Sequence, residues 1–184
     1  MQAENQLEHK FCRLGEELTM AEGMLIEGYA SLFGDQDRGG DIVMPGAYAK
    51  SLQKLVAEGR PVRMLWQHDP AQPIGVWDTV HEDDRGLYVK GRLLEDVARA
   101  REAAALIAAG AIDGLSIGYR TVRASKDDKG RRLLQELELW EVSLVTFPML
   151  PSARVDAKGE SPEADTLREL AEAFRAARRE LAQI

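Results

Sequence analysis

The feature that most constrains the fold is a series of short apolar stretches, each closed by a tight polar turn. Gly75 to His81 and Gly86 to Leu93 flank Glu82-Asp83-Asp84-Arg85, which reads as a hairpin. A further strand containing Ser116 runs to about Ala124, and the charged turn Ser125 to Gly130 leads into a long strand, Arg132 to Phe147. Met24 to Phe33 and Val62 to His68 have the same character, and an edge strand is expected around His9 to Leu14. Only two helices interrupt them, Pro45 to Ala57 and Asp96 to Ala109, stopped by Gly59 and Gly110. Short strands joined by turns favour a barrel or sandwich over a doubly wound parallel sheet.

Apolar parity adds detail. Gly28 marks an expected bulge in its strand. Period two places Met64, Trp66 and His68 on one face, with Asp69-Pro70 closing the strand. In the long strand, Leu137 and Leu139 are odd, whereas Trp140, Val142 and Leu144 are even. The switch predicts a bulge or bend near Trp140, after which Glu141 and Ser143 point away from the apolar face.

Composition excludes several classes. A net charge of −7 argues against a chain held on nucleic acid by a general positive field. A single cysteine, Cys12, cannot form an internal disulfide and fits a reducing cytosol. With only three scattered histidines beside it, zinc is not expected, nor is any other cofactor. Asp35, Asp37 and Gly40 have calcium-loop offsets, but Gly46 stands where the bidentate glutamate is needed. The apolar run Ala103 to Ile112 is too short to span a bilayer and is broken by Gly110. Met1 to Lys10 is polar and lacks a signal-peptide core, so a soluble intracellular chain is expected.

The candidate chemistry centres on Gly114-Leu115-Ser116-Ile117-Gly118-Tyr119. Glycines on either side of the serine let another backbone approach closely. Taken alone, the segment reads first as a strand whose serine bonds only to backbone; the stretches around His68 and Glu141 favour the catalytic reading. Acyl transfer by serine needs a base, a group that fixes the base, and oxyanion donors. His68 and Glu141 are the candidates for the first two roles, each on or at the end of an expected strand. His68 also fits a satisfied core histidine and Glu141 an exposed strand glutamate. If Glu141 is buried its charge needs a partner, which the His68 imidazole would supply. Asp69 is the next candidate for the third role, whereas His9 and His81 read as surface residues. The G-x-S-x-G match does not indicate an α/β-hydrolase. All histidines precede Ser116, and the residues after Gly118 read as strand rather than helix. Paired carboxylates of the glycosidase kind do not stand out.

Five segments in this order resemble the tailed-phage prohead proteases, the capsid-maturation serine proteases also found in prophages and gene transfer agents. They are Gly28-Tyr29-Ala30-Ser31-Leu32-Phe33, Gly40 to Tyr48, Trp66-Gln67-His68-Asp69, Gly114 to Tyr119, and Glu141 to Pro148. The resemblance covers about residues 8–156. It implies a mostly-β, α+β fold: a small herpesvirus-protease-like β-barrel with peripheral helices. It also implies a serine endopeptidase that cleaves the capsid or scaffold protein inside the assembling prohead, in the cytoplasm. Its serine falls on Ser116 and its histidine on His68, and by position its third member falls on Glu141. The herpesvirus relatives use a second histidine there, and none follows Ser116. They also point to Arg154 as an oxyanion candidate and to a homodimer. The alternative is a catalytically inert capsid scaffold or assembly factor with the same fold.

The domain reading is a protease domain over 1–155, a linker over 156–165 and a C-terminal amphipathic helix over 166–184. Leu167, Leu170, Phe174, Ala177, Leu181 and Ile184 form a heptad-like seam on that helix. It either binds a partner protein or folds back on the barrel.

Overall fold

The computed structural model describes residues 8–11, 19–21, 24–37 and 39–146. They form nine strands and two helices. The strands are β1 (Glu8–Phe11), β2 (Thr19–Ala21), β3 (Leu25–Leu32), β4 (Asp41–Val43), β5 (Arg63–Trp66), β6 (Asp69–Glu82), β7 (Gly86–Leu93), β8 (Gly114–Lys126) and β9 (Arg132–Val145). The helices are α1 (Ala49–Ala57) and α2 (Ala98–Ala108). All nine strands join one sheet in the order β1-β8-β9-β5-β6-β7-β3-β2, with β4 also pairing to β9. The pairings are antiparallel, except that β4 and β5 run parallel to β9. β3, near one end of the sheet, packs against β8 and β1 near the other, so the sheet curls into a half-barrel.

The concave face carries the core. Ile26, Met64, Ile74, Leu87, Ile117, Leu134 and Val142 are buried there, with Ala100, Ala103 and Ile107 of α2 and Leu55 of α1 against them. Ala103 and Ile107 stand four apart and share one stripe of α2, the spacing that turns a mixed helix into a core-facing one.

α1 is tied to β9 by polar contacts as well. The Leu139 N–H donates to Ser51 Oγ at 2.9 Å in a buried contact, and the Leu137 N–H donates to the Ala47 carbonyl at 2.9 Å. α1 begins at Ala49 rather than at Pro45, because Gly46 has φ of +82°, outside the helical region. Gly59 and Gly110, at φ of +63° and +67°, follow the helices as expected. The bulge in β3 falls between Tyr29 and Ser31, and Gly28 pairs regularly with Val89, so glycine there does not mark it. β6 begins at Asp69, well before Gly75, because Asp69 pairs back onto Trp66.

Glu138 of β9 receives Arg120 Nε at 2.9 Å and Lys54 Nζ at 3.3 Å, linking α1, β8 and β9. Burial pushes its carboxyl up, but the hydrogen bonds from Arg120 and then Lys54 outweigh this and hold it below the ordinary value. A depressed folded-state pKa stabilises the fold above the ordinary carboxylate range, and that contribution is lost as pH falls through the folded value. Glu138→Gln is therefore expected to lower Tm near neutral pH, with the gap to wild type closing on acidification. Thermal melts across the acid range check this, and a gap that does not change with pH would rule out the ion-pair origin.

Candidate active site

The site begins at the β5–β6 connection. Trp66 pairs with Asp69, leaving Gln67 and His68 as a two-residue loop with φ of +54° and +62°. Positive φ at both central residues is the requirement of a type I′ hairpin turn. A residue with a Cβ loses about 1–2 kcal/mol in that region, although histidine is among the types found there most often. Contacts with β9 offset the cost. The Gln67 N–H donates to the Leu144 carbonyl at 2.9 Å, and Gln67 Nε2 donates to Thr146 Oγ1 at 2.6 Å. The His68 N–H donates to Ser143 Oγ at 3.2 Å. His68 therefore does not continue the face of Met64 and Trp66, as alternation predicts. The turn breaks the period, and its ring leaves the core for the opposite side of the sheet.

Register places the remaining groups. Ser116 pairs with Ser143 and Gly118 with Glu141, but the next pair is Tyr119 with Leu139. Trp140 is the extra residue, and it stands 43% exposed rather than beside Val142 and Leu144. The bulge thus lies where the parity switch predicts it, although Trp140 itself leaves the apolar face. On the far side of β9, Ser143 pairs with Leu65 and Glu141 with Arg63. One face of the sheet consequently carries Ser116 and Gly118, then Ser143 and Glu141, then Leu65 and Arg63.

On that face Ser116 Oγ lies 2.6 Å from His68 Nε2, and His68 Nδ1 lies 2.6 Å from Glu141 Oε1. The second carboxylate oxygen accepts Ser143 Oγ–H at 2.5 Å. An ionised carboxylate only accepts, so Nδ1 carries the imidazole proton and Nε2 is left to accept from the serine. Glu141 is 4% exposed, and Ser116 and Ser143 are fully buried. Two donors on one buried carboxylate are what its desolvation demands.

Gly118 is explained by the same group. A Cβ built there would stand 2.1 Å from Glu141 Oε1 and 2.8 Å from its Cγ and Cδ. The atoms that crowd this glycine are those of the Glu141 side chain, not the approaching backbone that the sequence suggests. Ser143, which is not among the sequence candidates, serves both Glu141 and the His68 backbone. The one signal for it was its position two residues from Glu141, on the same face.

Ser116, His68 and Glu141 come together. Asp69 does not join them: its Oδ1 accepts the Ala71 N–H at 2.8 Å in an exposed contact at the start of β6. His81 is exposed, its ring 5.3 Å from that of Tyr88. His9 falls in β1, whose Phe11 pairs with Ser116, so the outer edge of β8 is occupied by the chain's own N-terminal strand. Arg154, the 156–165 linker and the 166–184 helix lie outside the described residues. Among the described residues, no three His, Cys, Asp or Glu side chains are placed to hold a metal ion.

A serine hydroxyl on an imidazole that is held by a buried carboxylate is the constellation that serine-dependent acyl transfer requires. The chain belongs to the caudovirus prohead serine protease family, whose model matches residues 13–167. The prohead protease of Enterobacteria phage HK97 is 34% identical over 152 residues, covering 79% of this chain and 65% of the relative. The chain thus spans about two-thirds, at 65%, of the length of that curated relative. The structure of the bacteriophage T4 capsid assembly protease, gp21, aligns with a TM-score of 0.61 at 20% identity. The alignment covers 76% of this chain and 97% of that one, and it shows the shared fold. The varicella-zoster virus protease aligns at a TM-score of 0.39 and 14% identity, over 71% of this chain and 62% of that one, too low to add to the fold assignment.

Gly118→Ala is expected to push the Glu141 carboxylate off His68. Displacing a positioned group by about 1 Å can cost around 10²-fold in rate. The expected outcome is a loss of that order in serine-dependent hydrolysis with the far-UV circular dichroism spectrum retained.

Proposed function

We propose that this protein is a serine endopeptidase that cleaves the capsid or scaffold protein during assembly of a phage-like head. The observation that carries the reading is the Ser116–His68–Glu141 relay, with 2.6 Å at each step, in a chain of the prohead serine protease family. The HK97 relative is a prohead protease and the T4 neighbour a capsid assembly protease, which supports this class of substrate.

In this reading Ser116 Oγ attacks the scissile carbonyl while His68 Nε2 takes its proton. The C–N bond then breaks as His68 returns that proton to the leaving amine. Water, activated by the same nitrogen, hydrolyses the acyl-enzyme. Glu141 keeps the imidazole in the Nδ1–H tautomer and balances the imidazolium, and Ser143 holds Glu141. Arg154 and neighbouring backbone N–H groups supply the oxyanion donors. The curled sheet belongs to a herpesvirus-protease-like barrel, active as a homodimer inside the prohead. The domain ends at 155, and the 166–184 helix beyond the linker binds the shell or scaffold protein.

The test is co-expression with a candidate phage-type capsid protein, followed by intact-mass measurement of both chains. Ser116→Ala and His68→Ala are expected to abolish processing; wild-type processing by Ser116→Ala would overturn the triad assignment, and no processing by the wild type would leave the inert assembly factor as the reading. Ser143→Ala removes a hydrogen bond to a charged group, a contact of about 1.5–3 kcal/mol. It is expected to lower kcat by about 10- to 100-fold, less than Ser116→Ala does. Glu141→Gln is expected to lower kcat as well, again by less than Ser116→Ala or His68→Ala, because an amide can still accept from Nδ1–H but brings no charge.

A further inference from the structure

Beside the relay lies a cavity of about 410 Å³. Among the described residues, His68 and Glu141 line it, whereas Ser116 does not. Leu65, Pro70 and Trp140 make it apolar, and Arg60 and Arg63 bring two guanidinium groups to it.

Two of these residues are not accounted for by folding. Trp140 is displaced by the β9 bulge and is 43% exposed, so its indole is held at the mouth of the cavity instead of in the core. Arg63 sits on the face that carries Glu141 and has no hydrogen bond or ion pair among the described residues, while Arg60 is paired with Glu58 at 2.9 Å. The one anionic group on the cavity wall among the described residues, Glu141, is already engaged by His68 and Ser143. Both donors are neutral, so Glu141 keeps its charge, but its oxygens are turned toward them; with Arg60 paired to Glu58, Arg63 is the cavity cation available among the described residues to a carboxylate in paired geometry.

We infer that this cavity is a substrate subsite that takes an acidic side chain, Asp or Glu, from a residue flanking the scissile bond. The inference rests on the protease reading above. The recognised residue is not the one that supplies the attacked carbonyl, because Ser116 is not part of the cavity. Arg63 meets the carboxylate, and Trp140 and Leu65 cover the apolar part of the same peptide segment. Arg63 is thus a specificity-determining residue, and the pair it forms is partly open to solvent. Its effect is accordingly modest: about a five-fold preference for Asp and Glu over Asn and Gln, fading with salt.

The test digests a proteome-derived peptide library with the full chain and maps the cleavage sites by mass spectrometry. Wild type is expected to enrich Asp and Glu over their amides at one flanking position. Arg63→Gln is expected to bring that ratio to about one, and Arg63→Lys to leave an intermediate ratio, because the charge remains but the planar fork is lost. Cleavage that is lost in Ser116→Ala but shows no acidic preference in wild type, or a preference unmoved in Arg63→Gln, overturns the subsite and leaves the protease reading standing. A library left uncut by wild type overturns both.

Discussion

The organisation of this site follows from one buried charge. Glu141 is 4% exposed, so its carboxylate is withdrawn from bulk water. Unpaired, an ion in such a place costs several kcal/mol, and lowering that cost requires donors with fixed geometry. Each neighbour is chosen accordingly. Ser143 donates from the same strand, His68 donates from a turn, and Gly118 vacates the space the carboxylate fills. The bulge at Trp140 changes the alternation of β9, and this puts Glu141 and Ser143 together on the face opposite the core.

The sheet order explains why three distant segments meet. β9 lies between β8 and β5, antiparallel to one and parallel to the other. Parallel pairing sends the end of β5 past Ser143 in the direction that lets the turn after it hang over β9. An antiparallel β5 in the same place would carry its turn the opposite way, away from Ser116. The serine and the acid thus come from adjacent strands and the histidine from the tight turn that ends the third, a rigid support of the kind that holds reacting groups in place.

Much of the architecture was legible because it is local. Hairpin turns announce themselves in Glu82 to Arg85 and Ser125 to Gly130, and the parity of Leu137, Leu139, Val142 and Leu144 locates the bulge. The turn at Gln67-His68 was not legible, because it lacks the Asn-Gly or Asp-Gly signature that positive φ values usually require. Its conformation is imposed by contacts with Leu144, Thr146 and Ser143, which are remote in sequence. Ser143 carries no chemical signature until Glu141 is known to be buried. The pairing of β1 onto β8 was likewise hidden, since an edge strand does not name its neighbour. The pairing of Ser116, His68 and Glu141 was inferred from residue types and from resemblance, whereas their separations are set by register.

The tip of a hairpin is ordinarily where a chain best tolerates extra residues. The β5–β6 tip is different, because its loop consists of Gln67 and His68 alone and the backbone N–H of each is bonded to β9. Lengthening it by one residue would alter the turn type, release both anchors and swing the imidazole away from Ser116, while the strands on either side stayed paired. Divergence in length among related chains would then be confined to connections away from this hairpin, such as the polar turns at Asp83 to Arg85 and Asp127 to Gly130. Loop length, more than side-chain identity, would separate the chains that keep the chemistry from those that keep the fold alone.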